Sequence, residues 1–308
     1  MEGLVRYGIN NRYTVCGKQR EYECTLKGKI LDSGADEYAA LAAGDRVEFE
    51  VASDEHSLGV IQKRFDRATA FGRWNNKRNR VQVLAANIDG VVCVSSVRQP
   101  AFRARFIERV TVSAEWYEVE PIIVVNKTDL GNDEEIPEYT DWMVSLGYRV
   151  FFTSARTGEG IQELQGAIAG RRFLFVGHSG VGKTSLINRM CPDAELTVRE
   201  VSRKYQKGVH TTRHSLLLER DDGGWVIDAP GIREIELVPD IEGSLAHCFP
   251  EIRAIVSECD YPGCTHLHEP GCAVIDAVEH GRLPELRYES YCILYESLEE
   301  RNRILRES

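Results

Sequence analysis

The stretch Arg172-Phe173-Leu174-Phe175-Val176-Gly177-His178-Ser179-Gly180-Val181-Gly182-Lys183-Thr184-Ser185-Leu186-Ile187-Asn188-Arg189-Met190 decides how the rest of the chain is read. Its middle matches G-x-x-x-x-G-K-[ST] at every fixed position. Residues 172–176 form an apolar run of strand length, and residues 185–190 carry apolar side chains at helical spacing. Strand, glycine loop and helix in that order present backbone N–H groups and a helix N-terminus to an anion. Glycines are needed because the chain must curl tightly and approach phosphates with no Cβ in the way. The pattern predicts that Gly177, His178, Ser179, Gly180, Val181, Gly182, Lys183, Thr184 and Ser185 wrap a nucleotide's phosphates. Lys183 would reach the β- and γ-phosphates, and the Thr184 hydroxyl would ligate Mg²⁺.

Upstream of this loop lie three apolar runs without polar alternation, at residues 90–97, 121–125 and 149–153. A helical segment from Ala101 to about Glu118 places Phe102, Phe106, Ile107 and Val110 at helical spacing. Continuous apolar strands between helices predict a parallel sheet covered on both faces, an α/β unit. Directly after the second run comes Asn126-Lys127-Thr128-Asp129, and after the third Ser154-Ala155-Arg156. An N-K-x-D at the carboxyl end of a parallel strand is shaped to read guanine. The Asp129 carboxylate accepts from N1–H and the exocyclic N2 amine, whereas adenine would leave that carboxylate unpaired. The Lys127 stem lies over the base, Asn126 pins neighbouring loops, and the Ala155 N–H meets guanine O6.

Downstream, residues 208–213 read Gly-Val-His-Thr-Thr-Arg; a threonine there completes the Mg²⁺ shell and senses the γ-phosphate. Residues 214–219 and 225–227 predict two strands joined by a turn at Asp221-Asp222-Gly223-Gly224. The second leads into Asp228-Ala229-Pro230-Gly231, where Asp228 holds Mg²⁺ through water and the Gly231 N–H bonds the γ-phosphate. In Ras-like GTPases the phosphate loop comes first and N-K-x-D last; here the order is N-K-x-D, S-A-R, G-x-x-x-x-G-K-T, H-T-T, D-A-P-G. The same parts occupy the same places in space if the domain is circularly permuted.

The rest of the chain frames this domain. At 308 residues, 43% hydrophobic and 28% charged, it is long enough for two or three domains with a sizeable core. Short strand-like segments at residues 12–15, 22–26 and 46–51, punctuated by glycines, predict a small barrel at residues 1–66, for which an OB-type barrel fits the size. Residues 63–80 carry seven basic side chains against one acid, with Phe65, Phe71 and Trp74 interleaved. That suits phosphate and base contacts, or a charged linker. The net charge of −10 excludes a uniformly basic nucleic-acid binder while leaving room for such a local patch. Residues 259–272 hold Cys259, Cys264, His266 and Cys272 in a C-x4-C-x-H-x5-C pattern, the donor set of a structural zinc; His268 is the alternative to His266, which is preferred. Nine cysteines, mostly scattered, fit a reducing compartment better than a disulfide framework. No apolar run is long enough to span a membrane and residues 1–7 lack a signal-peptide core, so a cytoplasmic protein is expected. Residues 284–306 read as a helix with Leu286, Tyr291, Leu294, Leu298 and Ile304 near one face.

Together with the segment Gln82-Val83-Leu84-Ala85-Ala86-Asn87-Ile88-Asp89, these features resemble the ribosome small-subunit-dependent GTPase A family (RsgA, also called YjeQ) over nearly the whole chain. The resemblance implies a multidomain α/β protein: an OB-type barrel at 1–66, a circularly permuted P-loop GTPase domain at 67–238 and a mainly helical zinc-binding domain at 239–308. It implies GTP hydrolysis to GDP, with Mg²⁺ and one structural zinc per chain. It also implies binding to the 30S subunit and 16S rRNA late in assembly, with slow turnover accelerated by the ribosome. A monomer is expected. Residue 232, where Ras-like proteins place a water-orienting glutamine, is an isoleucine. His210, beside the switch threonines, is the hypothesised replacement, since an imidazole orients water or accepts a proton near neutral pH. Thr211 and Thr212 both remain as Mg²⁺ ligands, with analogy leaning to Thr212.

Overall fold

The computed structural model describes residues 1–9, 11–18, 20–27, 40–131, 135–192, 215–229, 232 and 234–307. Five strands, β1 (Glu2–Ile9), β2 (Arg12–Cys16), β3 (Glu21–Leu26), β4 (Arg46–Ser53) and β5 (Leu58–Arg64), close into a barrel in the order β1-β2-β3-β5-β4. All neighbours are antiparallel except β3 and β5, the arrangement of a small OB-type barrel. Alternating side chains fill its interior, with Val5, Val15, Cys24, Val47, Phe49 and Ile61 buried.

The segment 63–80 does not run as a linker. β6 (Ala70–Asn75) and β7 (Arg80–Ala86) form a hairpin. Phe71 is fully buried in the main core, so it is not available for base stacking. Arg67 forks onto Asp45 at 2.7 and 2.9 Å, with Asp45 itself completely buried. Residues 76–80 at the tip are exposed and carry Lys77, Arg78 and Arg80. The barrel meets the next unit at Gly44, whose φ is +88°; a Cβ there would lie 2.2 Å from the Ala86 carbonyl. Asn87 crosses the same junction, donating to the Gly44 carbonyl at 2.9 Å and accepting from the Ala68 N–H at 3.0 Å.

The central sheet has the order β10-β9-β8-β11-β13-β12. Its strands are β8 (Gly90–Ser96), β9 (Glu120–Asn126), β10 (Arg149–Thr153), β11 (Arg172–Gly177), β12 (Leu216–Glu219) and β13 (Trp225–Asp228). All pairings are parallel save β12 with β13. Helices α1 (Ala104–Trp116), α2 (Glu135–Ser145), α3 (Ile161–Ala167) and α4 (Lys183–Met190) connect them. One face buries Val91, Cys93, Ile123, Leu174 and Val176 with α1 residues Phe106, Ile107 and Val110. The other buries Val92, Val94, Ile122, Val124, Phe173 and Phe175 with Leu164, Leu186 and Ile187. Burial on both faces explains why these strands show no polar alternation. From β8 the chain builds outward to β9 and β10 on one side and to β11 and β13 on the other. The crevice where an open sheet binds ligands therefore opens at the carboxyl ends of β8, β9 and β11.

The C-terminal region packs a 3-10 helix (Pro239–Cys248), α5 (Pro250–Arg253), α6 (Ala273–Glu279) and the long α7 (Glu285–Glu307) around their own apolar cluster. The buried line of α7 is Arg287, Tyr291, Leu294 and Leu298; Leu286 and Ile304, expected on that face, are exposed. No helix among the described residues is long and apolar enough to cross a membrane. Arg287 joins this region to the sheet unit. Its guanidinium lies over the Phe249 ring at 4.5 Å, 2.6 Å from Glu251 on α5 and 3.8 Å from Glu108 on α1. All three charged side chains are buried. Burial pushes the Glu108 carboxyl above the ordinary range, and the opposing pull of Arg287 does not cancel it. The cation is held chiefly by Glu251. Removing it in Glu251→Ala should destabilise the protein by about 3–5 kcal/mol in urea denaturation at neutral pH, because a buried arginine loses its close partner. Glu108→Gln should be nearly neutral at acidic pH. Because a raised pKa favours the protonated carboxyl, wild-type stability relative to this variant should fall as pH rises through the folded-state value.

Candidate functional site

Parallel register brings the sequence-distant motifs to one edge. Thr153 lies opposite Asn126, and Asn126 opposite Ser96, while Gly177 pairs with Val94 on the other side of β8. Asn126 ends β9 fully buried. Its Nδ2 donates to the Val181 carbonyl at 2.8 Å, and its Oδ1 accepts from the Thr153 hydroxyl and the Ala155 N–H, both at 3.1 Å. One amide thus ties together the N-K-T-D loop, the S-A-R loop and the glycine loop. Lys127 turns the chain in the left-handed region at φ +66° and anchors its ammonium on the Gln99 carbonyl. Asp129 follows in a short 3-10 turn. Its Oδ1 accepts from the Ser154 hydroxyl at 2.5 Å and its Oδ2 from Arg156 Nε at 2.8 Å. The Ser154 bond, ahead of Arg156, holds this carboxyl below the usual aspartate range against the opposing push of burial. Thr128 donates to Glu159 at 2.9 Å, a second tie between the two loops that the motifs do not announce.

Gly177, His178, Ser179, Gly180, Val181 and Gly182 form the turn from β11 into α4. Gly182 has φ +91°, and a Cβ there would stand 2.2 Å from Asn126 Nδ2. This position must be glycine for the loop to close over Asn126. Lys183 is buried; its ammonium pairs with Asp228 and donates to the Ala229 carbonyl at 2.5 Å. The end of β13 is thereby joined to the loop. Thr184 and Ser185 are exposed at the start of α4. His178, to which the motif assigns no role, packs tilted against Phe106 of α1, with ring centres 4.3 Å apart and planes at 43°. Burial, then Arg103, pushes its imidazole below its ordinary range. A cavity of about 450 Å³ is lined by Asn126, Lys127, Asp129, Leu130, Ala155, Arg156, Gly182 and Ser185. His210, Thr211, Thr212 and Gly231 lie outside the described residues. Ile232 is buried in the main core.

A second cluster sits in the C-terminal region. The donor atoms of Cys259, Cys264, His266 and Cys272 all lie within 4.8 Å of one another. His266 Nδ1 is 3.4 Å from Cys272 Sγ and 3.6 Å from Cys259 Sγ. Four donors at about 2.0–2.3 Å from a tetrahedral ion are separated by similar distances, so three sulfurs and one imidazole fit a metal of this kind. His266, at φ +61°, is the imidazole in this group, not His268. The loop is held by a residue the spacing does not reveal. Glu269 accepts from the Thr265 N–H and hydroxyl at 2.7 and 2.5 Å, and from the Leu267 and His268 N–H groups at 3.1 and 3.2 Å. From α7, Tyr288 and Tyr291 donate to the carbonyls of His266 and Thr265, each at 2.8 Å.

A family model described as RsgA GTPase matches residues 64–238. A Borreliella burgdorferi protein named small ribosomal subunit biogenesis GTPase RsgA is 39% identical over 295 residues, 94% of each chain. A Bacteroides thetaiotaomicron protein named small ribosomal subunit biogenesis GTPase RsgA 2 is 36% identical over 306 residues, 97% of this chain and 98% of its own. The crystal structure of YjeQ from Thermotoga maritima superposes with a TM-score of 0.71 at 31% identity, covering 96% of this chain and 98% of that one. That of YloQ, described as a circularly permuted GTPase, gives 0.71 at 28% identity over 97% and 95%. The matched model spans more than half of the sequence and the relatives nearly all of it: the chain belongs to the RsgA GTPase family.

Proposed function

We propose that this chain is a GTPase that binds the small ribosomal subunit and acts in its late maturation, with GTP hydrolysis stimulated by the ribosome. The observation that carries this reading is the cavity at the sheet's carboxyl edge, where Asn126 draws the N-K-T-D, S-A-R and glycine loops together. In our reading the base enters between Lys127 and Arg156, and Asp129 exchanges its bonds for guanine N1–H and N2–H. Ala155 shares its N–H between Asn126 and guanine O6. The phosphates draw Lys183 away from Asp228 into the cradle formed by residues 177–185, with Thr184 and Thr212 as Mg²⁺ ligands and Asp228 acting through water. Magnesium bound with the nucleotide would neutralise phosphate charge. Water attacks the γ-phosphorus, the bond to the β–γ bridging oxygen breaks, and GDP leaves with that electron pair. Buried Ile232 has no group to orient this water. We assign that part to His210, γ-phosphate sensing to the switch threonine, and a bond to the γ-phosphate to the Gly231 N–H.

The domain division we propose is 1–66, 67–238 and 239–308, with zinc held structurally by Cys259, Cys264, His266 and Cys272. Exposed Lys77, Arg78 and Arg80 support 16S rRNA as the contact. A cytoplasmic monomer completes the reading.

Three measurements test it. Purified 30S subunits should raise the GTPase rate at least tenfold, with 50S subunits inert; Lys183→Ala should abolish activity, and His210→Ala should lose mainly the stimulated part. Equal rates with and without 30S would overturn the proposal. Asp129→Asn should weaken GDP binding by two or more orders of magnitude and restore affinity for xanthosine diphosphate, because the amide presents a donor where xanthine presents a carbonyl. The protein as purified should contain about one zinc per chain. Glu269→Ala should release it to a chelator about 10–100-fold more readily, although Glu269 is not a ligand.

A further inference from the structure

Ser185 lines the base cavity from the first turn of α4, and one turn further along the same helix face stands Arg189. Its Nε donates to the Ala155 carbonyl and its Nη2 to the Arg156 carbonyl, both at 3.0 Å. These are the two consecutive carbonyls of the loop whose N–H and side chain face the cavity. A planar guanidinium bonded to both fixes the peptide planes on either side of Arg156. That anchors the carbonyl side of Ala155, whose N–H on the preceding peptide plane is held by Asn126, and it fixes the point from which the Arg156 side chain departs toward Asp129. The loop is clamped from inside by Asn126 and from outside by Arg189, and both clamps come from or reach the phosphate-binding element.

We propose that Arg189 is a positioning residue for base selection: it locks the S-A-R loop to the phosphate helix, so that the Ala155 N–H is presented to the purine O6. The proposal rests on the guanine reading above. It assigns no contact between Arg189 and nucleotide, and it makes selectivity depend on a residue of the P-loop helix. Lysine, with a single donor centre on a flexible stem, would hold one carbonyl and restore part of the effect.

The test compares GDP with 2-aminopurine riboside diphosphate, which keeps the N2 amine but lacks O6 and the N1–H that accompanies it, and so reports binding through the sugar and phosphates, and with ADP, all by calorimetry on the full chain. Wild type should prefer GDP to both analogues; absence of that preference would refute the guanine reading itself. Given that preference, Arg189→Ala should weaken GDP about five- to tenfold, the scale of one hydrogen bond, while leaving the 2-aminopurine nucleotide within about twofold. Arg189→Lys should fall between. Equal losses for both nucleotides would mean that Arg189 only supports α4 and the phosphates, and unchanged GDP affinity would mean that the clamp is idle; either result overturns the proposal while the guanine reading stands.

Discussion

The arrangement of this protein depends on one buried side-chain amide. Asn126 has no access to solvent, so its polar atoms must find partners within the fold. They find them on two other segments, the end of β10 with its S-A-R loop and the glycine loop, the latter 55 positions away in sequence. A buried amide bonded on both ends tolerates little displacement, because moving any loop strands a donor or an acceptor in a low-dielectric interior. The close approach of Gly182, where even a methyl would collide with the amide, shows how tightly the glycine loop is drawn in. The site is therefore a property of the sheet's edge more than of any one motif. The motifs supply loops, and the buried amide sets their mutual positions.

Around that centre, neighbouring units are joined by charged or polar groups at buried seams. The barrel is held at Asp45–Arg67 and Asn87, and the C-terminal region at Glu251–Arg287–Glu108. Such contacts add modestly to net stability but are costly to break on one side only. They make the relative placement of the units specific. The segment leaving β13 crosses between these seams. The Trp74 N–H donates to the Glu236 carbonyl at 2.9 Å, and Arg301 on α7 to the Leu237 carbonyl at 2.8 Å. The basic hairpin and the C-terminal helix α7 thus both bond residues 236–237.

Much of this was legible from the residues. The glycine loop, N-K-T-D and S-A-R are local, and each sits at a strand end that continuous apolar runs announce. The metal cluster was legible because its donors are close in sequence. Less visible were β1 and β5, since a barrel strand with mixed polar faces has weak periodicity, and the hairpin at 70–86, whose arginines disguised a structural element as a charge run. Phe71 and Arg67 read as surface groups because nothing local tells a buried aromatic or a paired cation from an exposed one. The same holds for Leu286 and Ile304, which share a helical period with the α7 core but meet no neighbour there that covers them.

By itself the order of residues determined the class of chemistry, because phosphate cradling and guanine selection need particular side chains at short, fixed spacings. It determined the permuted sequence of motifs and the donors offered to a metal for the same reason. Tertiary structure alone decided which groups lie across from one another: Asn126 from the glycine loop, Lys183 on Asp228, Arg189 behind the S-A-R loop, Glu269 inside the metal loop, Arg287 between two carboxylates. Those pairings join residues whose separation along the chain carries no periodic signal. They arise only when sheet register and burial bring distant polar groups into a space where each must be satisfied.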